Sequence, residues 1–279
     1  MITRASAIPG MAVLLTLTLT GCALVPDTLE DLAGSASAPI DSLNPYDEVD
    51  RDAPFAGSPA EEYGVGFPDP PEAEAVGPYD ADQVADAYER TQEFLDATYL
   101  NQDAVFKEDN GAFVELLEGQ ALDWYLEEFD NPDPELNARS LNYNLTPGTA
   151  EPIGDQVRVN GRMWAQESTD EYDQDYLSVT TEFTIVHPVA RPGEPVSTRI
   201  VVSHLGEVAF YDVGTDELEA WPAWYRAVAP AHCLEDQITF TPAFGDELPE
   251  GERPKGGKQD AYDLEDAREM DECVSVKGT

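Results

Sequence analysis

The stretch VRVNGRMWAQ, residues 157 to 166, decides the fold. Val157, Val159, Gly161, Met163 and Ala165 are apolar or small, and Arg158, Asn160, Arg162 and Gln166 fall between them. A period of two is the signature of a strand with one buried face. The rhythm returns in Leu177, Val179, Thr181, Phe183 and Ile185, and a third strand is predicted over 196–211, with Gly206 read as a bulge. Between the second and third strands lies HPVARPGEP, residues 187–195, whose prolines predict a loop. The three strands form an antiparallel meander, and ITFTPAF, residues 238–244, is predicted to add a short last strand.

Upstream of the meander the period is helical. Asp80, three residues before Gln83, predicts a capping box for a helix running to about Tyr99. Val84, Tyr88, Thr91, Leu95 and Thr98 form its stripe, with Asp86, Glu89, Glu93 and Asp96 mostly outside it. Two shorter helices are predicted around 112–117 and 120–129, burying Phe113, Leu116, Leu117, Trp124, Tyr125 and Phe129, before DNPDPE ends the helical region. A weaker helical pattern covers 259–273. Helices followed by long antiparallel strands predict an α+β domain, residues 79–279, with its helices packed on one face of a curved antiparallel sheet. About 200 residues suffice for one domain with a substantial core.

Residues 22–78 read as a disordered tether. Phrases such as APIDSLNPYDEVDRDAPFAGSPAEE interrupt any regular element with proline, and their charge is negative. The chain as a whole holds 57 acidic against 15 basic residues, a formal charge of -42. Such a surface repels nucleic acid and anionic lipid headgroups, so neither is expected as a partner. It calls for screening by salt or divalent cations. The densest acidic run, Asp170 to Asp175, lacks the turn glycine and the distal glutamate of an EF-hand, so no metal site is expected there.

The first residues give an address. Arg4 is the only charge before Asp27, and an apolar run of about 15 residues follows it, short of the roughly 20 that span a membrane. Residues 1–21 therefore read as a signal peptide. Leu19-Thr20-Gly21-Cys22 resembles a bacterial lipobox. That resemblance implies a lipoprotein with diacylglycerol on Cys22, anchored at the extracytoplasmic face of the plasma membrane. Each buried methylene is worth about 0.8 kcal/mol, so two or three acyl chains hold the chain there. In an exported protein the remaining Cys233 and Cys273 most simply form one disulfide, closing a loop of about 40 residues and stabilising it by roughly 3–4 kcal/mol.

A long helix, two short ones and a meander resemble the nuclear-transport-factor-2-like cone fold, or a cystatin-like one. More narrowly, the lipobox, the acidic tether, ATYLNQDAVF, STRIVVSHLGEVAFYD and AHCLEDQITFTPAF are similar to a group of uncharacterised actinobacterial lipoproteins. The resemblance implies location and fold and assigns no catalytic residue.

Candidate chemistry is sparse. No Gly-x-Ser-x-Gly, phosphate loop or His-Glu-x-x-His occurs. His187, His204 and His232 have no metal-ligand spacing. His204 shares a strand face with Ile200 and Val202. It is expected either as a hydrogen-bonded histidine at the core edge or as a proton acceptor in a pocket with Tyr88 and Trp124. Trp221, Trp224 and Tyr225, among prolines in EAWPAWYRAVAPAHC, predict a rigid aromatic loop that docks on a partner or plugs the sheet. The expected function is a cell-envelope binding or assembly module, holding a protein or glycan without a cofactor. The alternatives are a small-ligand carrier or enzyme using a cone-like pocket, and a cation-buffering acidic surface.

Overall fold

In the computed structural model, which describes residues 49–133, 136–215, 217–232, 238–247 and 260–268, the period of two becomes a six-stranded antiparallel sheet. Its strands are β1 (Gly64–Val65), β2 (Glu151–Pro152), β3 (Arg158–Thr169), β4 (Asp175–Ala190), β5 (Ser197–Tyr211) and β6 (Glu219–Ala229). The order is β1-β3-β4-β5-β6, and β2 takes over beside β4 where β3 has not yet begun.

Register assigns the faces. One row crosses the sheet as Val159, Ile185, Val202 and Val228, the next as Gly161, Phe183, His204 and Arg226, the next as Met163, Thr181, Gly206 and Trp224. This face carries the helices: α1 (Ala81–Leu95), α2 (Gln102–Lys107), α3 (Gly111–Val114) and α4 (Gly119–Glu127). Val84, Phe94, Leu95, Phe113 and Tyr125 from the helices share one buried cluster with Leu177, Val179, Phe183, Ile185, Val208 and Phe210. The fold is α+β, with α1 to α4 on one face of an antiparallel sheet and a short helix, Leu264–Arg268, also packed against β4 and β5.

Local chemistry sets the helix ends. Asp80 accepts from Asp82 N and Gln83 N while Gln83 Oε1 accepts from Asp80 N, the reciprocal box read from the sequence. The last turn of the long helix, Asp96–Leu100, widens to π geometry. Asn101 then starts α2, an element the periodicity did not signal, by accepting from Asp103 N and Ala104 N.

Several expectations are corrected. The strand β4 continues through His187 and Pro188 to Ala190, so HPVA is not loop. Pro188 lies beyond the last β3–β4 pair, where its carbonyl accepts from Ile153 N and the ladder asks for no donor in return. Gly206 is not a bulge, because the β4–β5 and β5–β6 registers run one to one through it. A Cβ there would lie 2.2 Å from Trp224 Cβ and 2.6 Å from Ala223 O, so glycine is required by the close approach of β6. Gly161 has the same role against β4, where an added Cβ would lie 2.1 Å from Glu182 O. ITFTPAF supplies only isolated bridges, Leu145 with Phe240 and Ala231 with Pro242.

The largest correction concerns the tether. Its described part, from Val49 onward, packs on the sheet. Phe55 and Ala60 are buried against Val186, Val201 and Ala261 on the face opposite the helices, and Val49 packs with Ile153 and Ala190. Arg199 donates to Pro54 O (2.6 Å) and Ala56 O (2.9 Å), Arg158 to Tyr63 O (2.6 Å) and Arg51 to Glu194 O (2.8 Å). Val49 N donates to Ser197 Oγ (2.8 Å). Apart from a short 3-10 helix at Pro59–Glu62, this segment has backbone carbonyls without ladder partners, and guanidinium forks supply the donors. Among the described residues no helix is long and apolar enough to cross a membrane. Cys22, the expected signal segment and the expected Cys233–Cys273 pair lie outside the described residues.

If 49–63 is a packed strap, Phe55→Ala lowers unfolding free energy by about 3 kcal/mol in urea denaturation. A free tether would leave the midpoint unchanged.

Candidate functional site

The space between helices and sheet is filled. Tyr99, Tyr125, Tyr143, Phe94, Phe113, Phe183 and Phe244 are all fully buried. His204 lies among them, its ring 5.4 Å from Tyr99 and 5.3 Å from Trp224. Thr181 spends its one hydroxyl proton on Gly206 O (3.1 Å), so it accepts from His204 Nε2–H (2.8 Å). Nδ1 is then the lone-pair nitrogen and accepts from the Tyr99 hydroxyl (2.7 Å). Burial, and secondarily the charge of Arg226, push the His204 pKa down to about 3, so the ring is neutral at ordinary pH. It is a satisfied core histidine.

Arg226, next in the same row, is also buried. Its guanidinium donates to Asn142 O and to Leu141 O (2.7 Å), and Trp224 Nε1 donates to the same Leu141 O (2.9 Å). It lies 5.6 Å from the Tyr99 ring centroid. Tyr125 OH donates to Asn142 Oδ1 (2.6 Å). A polar seam thus joins β6 to the segment that follows the helices.

The expected pocket of His204, Tyr88 and Trp124 does not assemble. Tyr88 is buried at β3, its hydroxyl accepting from Ala165 N (2.9 Å), and Trp124 is 38% exposed on α4. A narrow cleft among Tyr99, Gln102, Ile153 and His187 offers about 10 Å³, the room of one water. His187 is buried there with Nε2 unpartnered, and burial pushes its pKa down to about 3. Drug-sized or substrate-sized ligands need some 300 Å³ or more. Among the described residues no three His, Cys, Asp or Glu side chains come together as a metal set. In the acidic turn, Asp170 Oδ1 accepts from Tyr172 N and Gln174 N instead.

Trp221, Trp224 and Tyr225 lie on β6, not on a loop. It is an edge strand, where proline such as Pro222 is tolerated. Trp224 points inward against Phe113 and His204, Tyr225 is 48% exposed, and Trp221, partly buried at the sheet edge, packs on the same helix-side core as Trp224. Trp221 meets Trp124 of α4 with ring centroids 6.2 Å apart, a pairing the sequence did not reveal. Glu219 builds it. Its Oε1 accepts from Gln120 N (2.8 Å) and Ala121 N (3.2 Å), capping α4 in place of an N-cap side chain, and from Trp221 Nε1 (3.1 Å). Gly119 takes φ +52°, a left-handed conformation that favours glycine, and keeps a Cβ out of the path of the Glu219 carboxylate. One carboxylate therefore bonds the Trp221 indole and caps the helix that carries exposed Trp124.

Comparison with protein-family models, with curated proteins and with solved structures finds no match for this chain.

The two tryptophans separate by experiment. Trp224→Ala should cost about 3–5 kcal/mol of unfolding free energy, and Trp221→Ala less than about 1.5 kcal/mol. Equal losses would mean that both indoles belong to the core.

Proposed function

We propose that this chain is an exported, lipid-anchored binding or assembly module of the cell envelope, acting through the indole pair at the β6 edge and not by catalysis. The observation that carries the reading is exposed Trp124 stacked on partly buried Trp221, with Glu219 capping the helix of the one and bonding the indole of the other, against an interior filled by side chains. Aromatic side chains held rigidly at a surface give large contact area at small entropic cost. The lipid anchor rests on the Leu19 to Cys22 motif at the end of a short apolar run. The finer likeness to a nuclear-transport-factor-2-like cone belongs to the same proposal, supported by the order of one long helix, short helices and meander. A carrier or enzyme is less favoured, because the interior cleft holds about one water and the larger depressions, of about 360, 390 and 440 Å³, are open to solvent.

The test places a photocrosslinking residue at Trp124, or at exposed Lys107 on α2 as control, in the full chain on intact cells. A discrete adduct from position 124 alone, with the protein in the membrane fraction and released by Cys22→Ser, is expected. Equal adducts from both positions, or a Cys22→Ser chain still on the membrane, would contradict the proposal.

A further inference from the structure

We propose that the occupant of the Trp124–Trp221 surface is a cationic polypeptide segment, its Lys and Arg side chains laid on the indoles and paired with the carboxylates beside them. This rests on the binding-module reading and names its partner class. The indole faces carry the negative lobe of the ring quadrupole and attract ammonium and guanidinium groups. A groove of about 360 Å³, lined by Glu118 and Gly119 at the head of α4 and by Glu217 and Glu219 before and at the start of β6, adjoins the indole pair through Glu219, which bonds Trp221 Nε1. On α4 itself, Asp123 is exposed next to Trp124.

Among the described residues the exposed Lys and Arg are Arg51, Lys107 and Arg162, on the strap, α2 and β3. Arg90, whose Nη1 donates to Leu218 O (2.6 Å), is mostly buried and lies 3.8 Å from Asp86. In a chain of 57 acidic against 15 basic residues, five arginines (Arg51, Arg90, Arg158, Arg199 and Arg226) donate to backbone carbonyls, so the surface carboxylates far outnumber the cations left to meet them. A second copy of this chain is excluded as occupant by mutual repulsion, and an anionic polymer by the same field. A lone small amine would find an open groove and little enclosure, whereas an extended segment engages indoles and carboxylates together.

The full chain is titrated with a short Lys/Arg peptide, with its Gln-substituted counterpart and with a neutral chito-oligosaccharide, following heat and indole fluorescence. The informative variant is Trp124→Ala with Trp221→Ala, which leaves net charge unchanged and so spares any non-specific attraction to the acidic surface. Trp124→Ala alone, on an exposed helix position, is the second variant should the double one unfold. Expected is binding of the Lys/Arg peptide that weakens with ionic strength, with about a tenfold or larger loss in the double variant and about threefold or more in the single one. Unchanged affinity in both variants, or equal binding of the Gln peptide, would overturn the inference. Binding of the oligosaccharide alone, lost in the variants, would also overturn it while leaving the module reading intact. The crosslinking outcome above decides that reading independently.

Discussion

A guanidinium buried without a carboxylate holds the two layers together. Arg226 lies in the inner row of the sheet beside His204 and donates to two consecutive backbone carbonyls, Leu141 and Asn142, that close the helical layer. Burial lowers its pKa, opposed by Tyr99 and Tyr143, yet an arginine keeps its charge under any ordinary condition. The cost of desolvating it is offset by charge-assisted bonds to carbonyls that would otherwise be buried without donors, and by the Tyr99 ring. The rest of the interior depends on this seam. Trp224 reaches the same carbonyl, Gly206 makes room for Trp224, and Thr181 between them fixes the tautomer of His204.

The same device recurs outside the core. Arg199, Arg158 and Arg51 give their donors to carbonyls of the 54–63 strap or of the turn before β5, not to any of the abundant carboxylates. Planar forks reach two acceptors in geometries that an ammonium does not, which suits segments with no ladder of their own. A strongly acidic chain thus uses its scarce cations as internal staples. Other cations pair with carboxylates, Arg191 with Asp246 and Glu247 and Lys107 with Asp103, but acidic residues far outnumber them, and the molecule presents to its surroundings a field that selects positively charged neighbours.

Period and capping made much of this legible. The alternation in 157–166 and 177–185 reproduces β3 and β4 with the expected face inward, and Asp80 with Gln83 caps the long helix as read. Proline misled in three places for one reason, since local sequence does not say which side of a strand lacks a partner: Pro188 sits past the end of β3, Pro222 on an edge, and the prolines near Phe55 in a strap held by side chains from far along the chain. Gly206 suggested a bulge, but the cause is a contact with Trp224 of the next strand, invisible until the register is known. The functional candidates divide in the same way. Trp221 and Tyr225 were legible as aromatics on one rigid segment, whereas the partner Trp124 and the clamp Glu219 arise from the docking of α4 on β6, elements separated by about a hundred residues.

The measurement that bears most directly on this account is equilibrium unfolding of Arg226→Lys, with near-ultraviolet circular dichroism to verify packing. Lysine keeps the charge and loses the fork. If the two carbonyls depend on that fork, unfolding free energy falls by about 3 kcal/mol or more while the fold is retained. An unchanged unfolding midpoint would mean that the layers are held by apolar contact alone and would contradict the account.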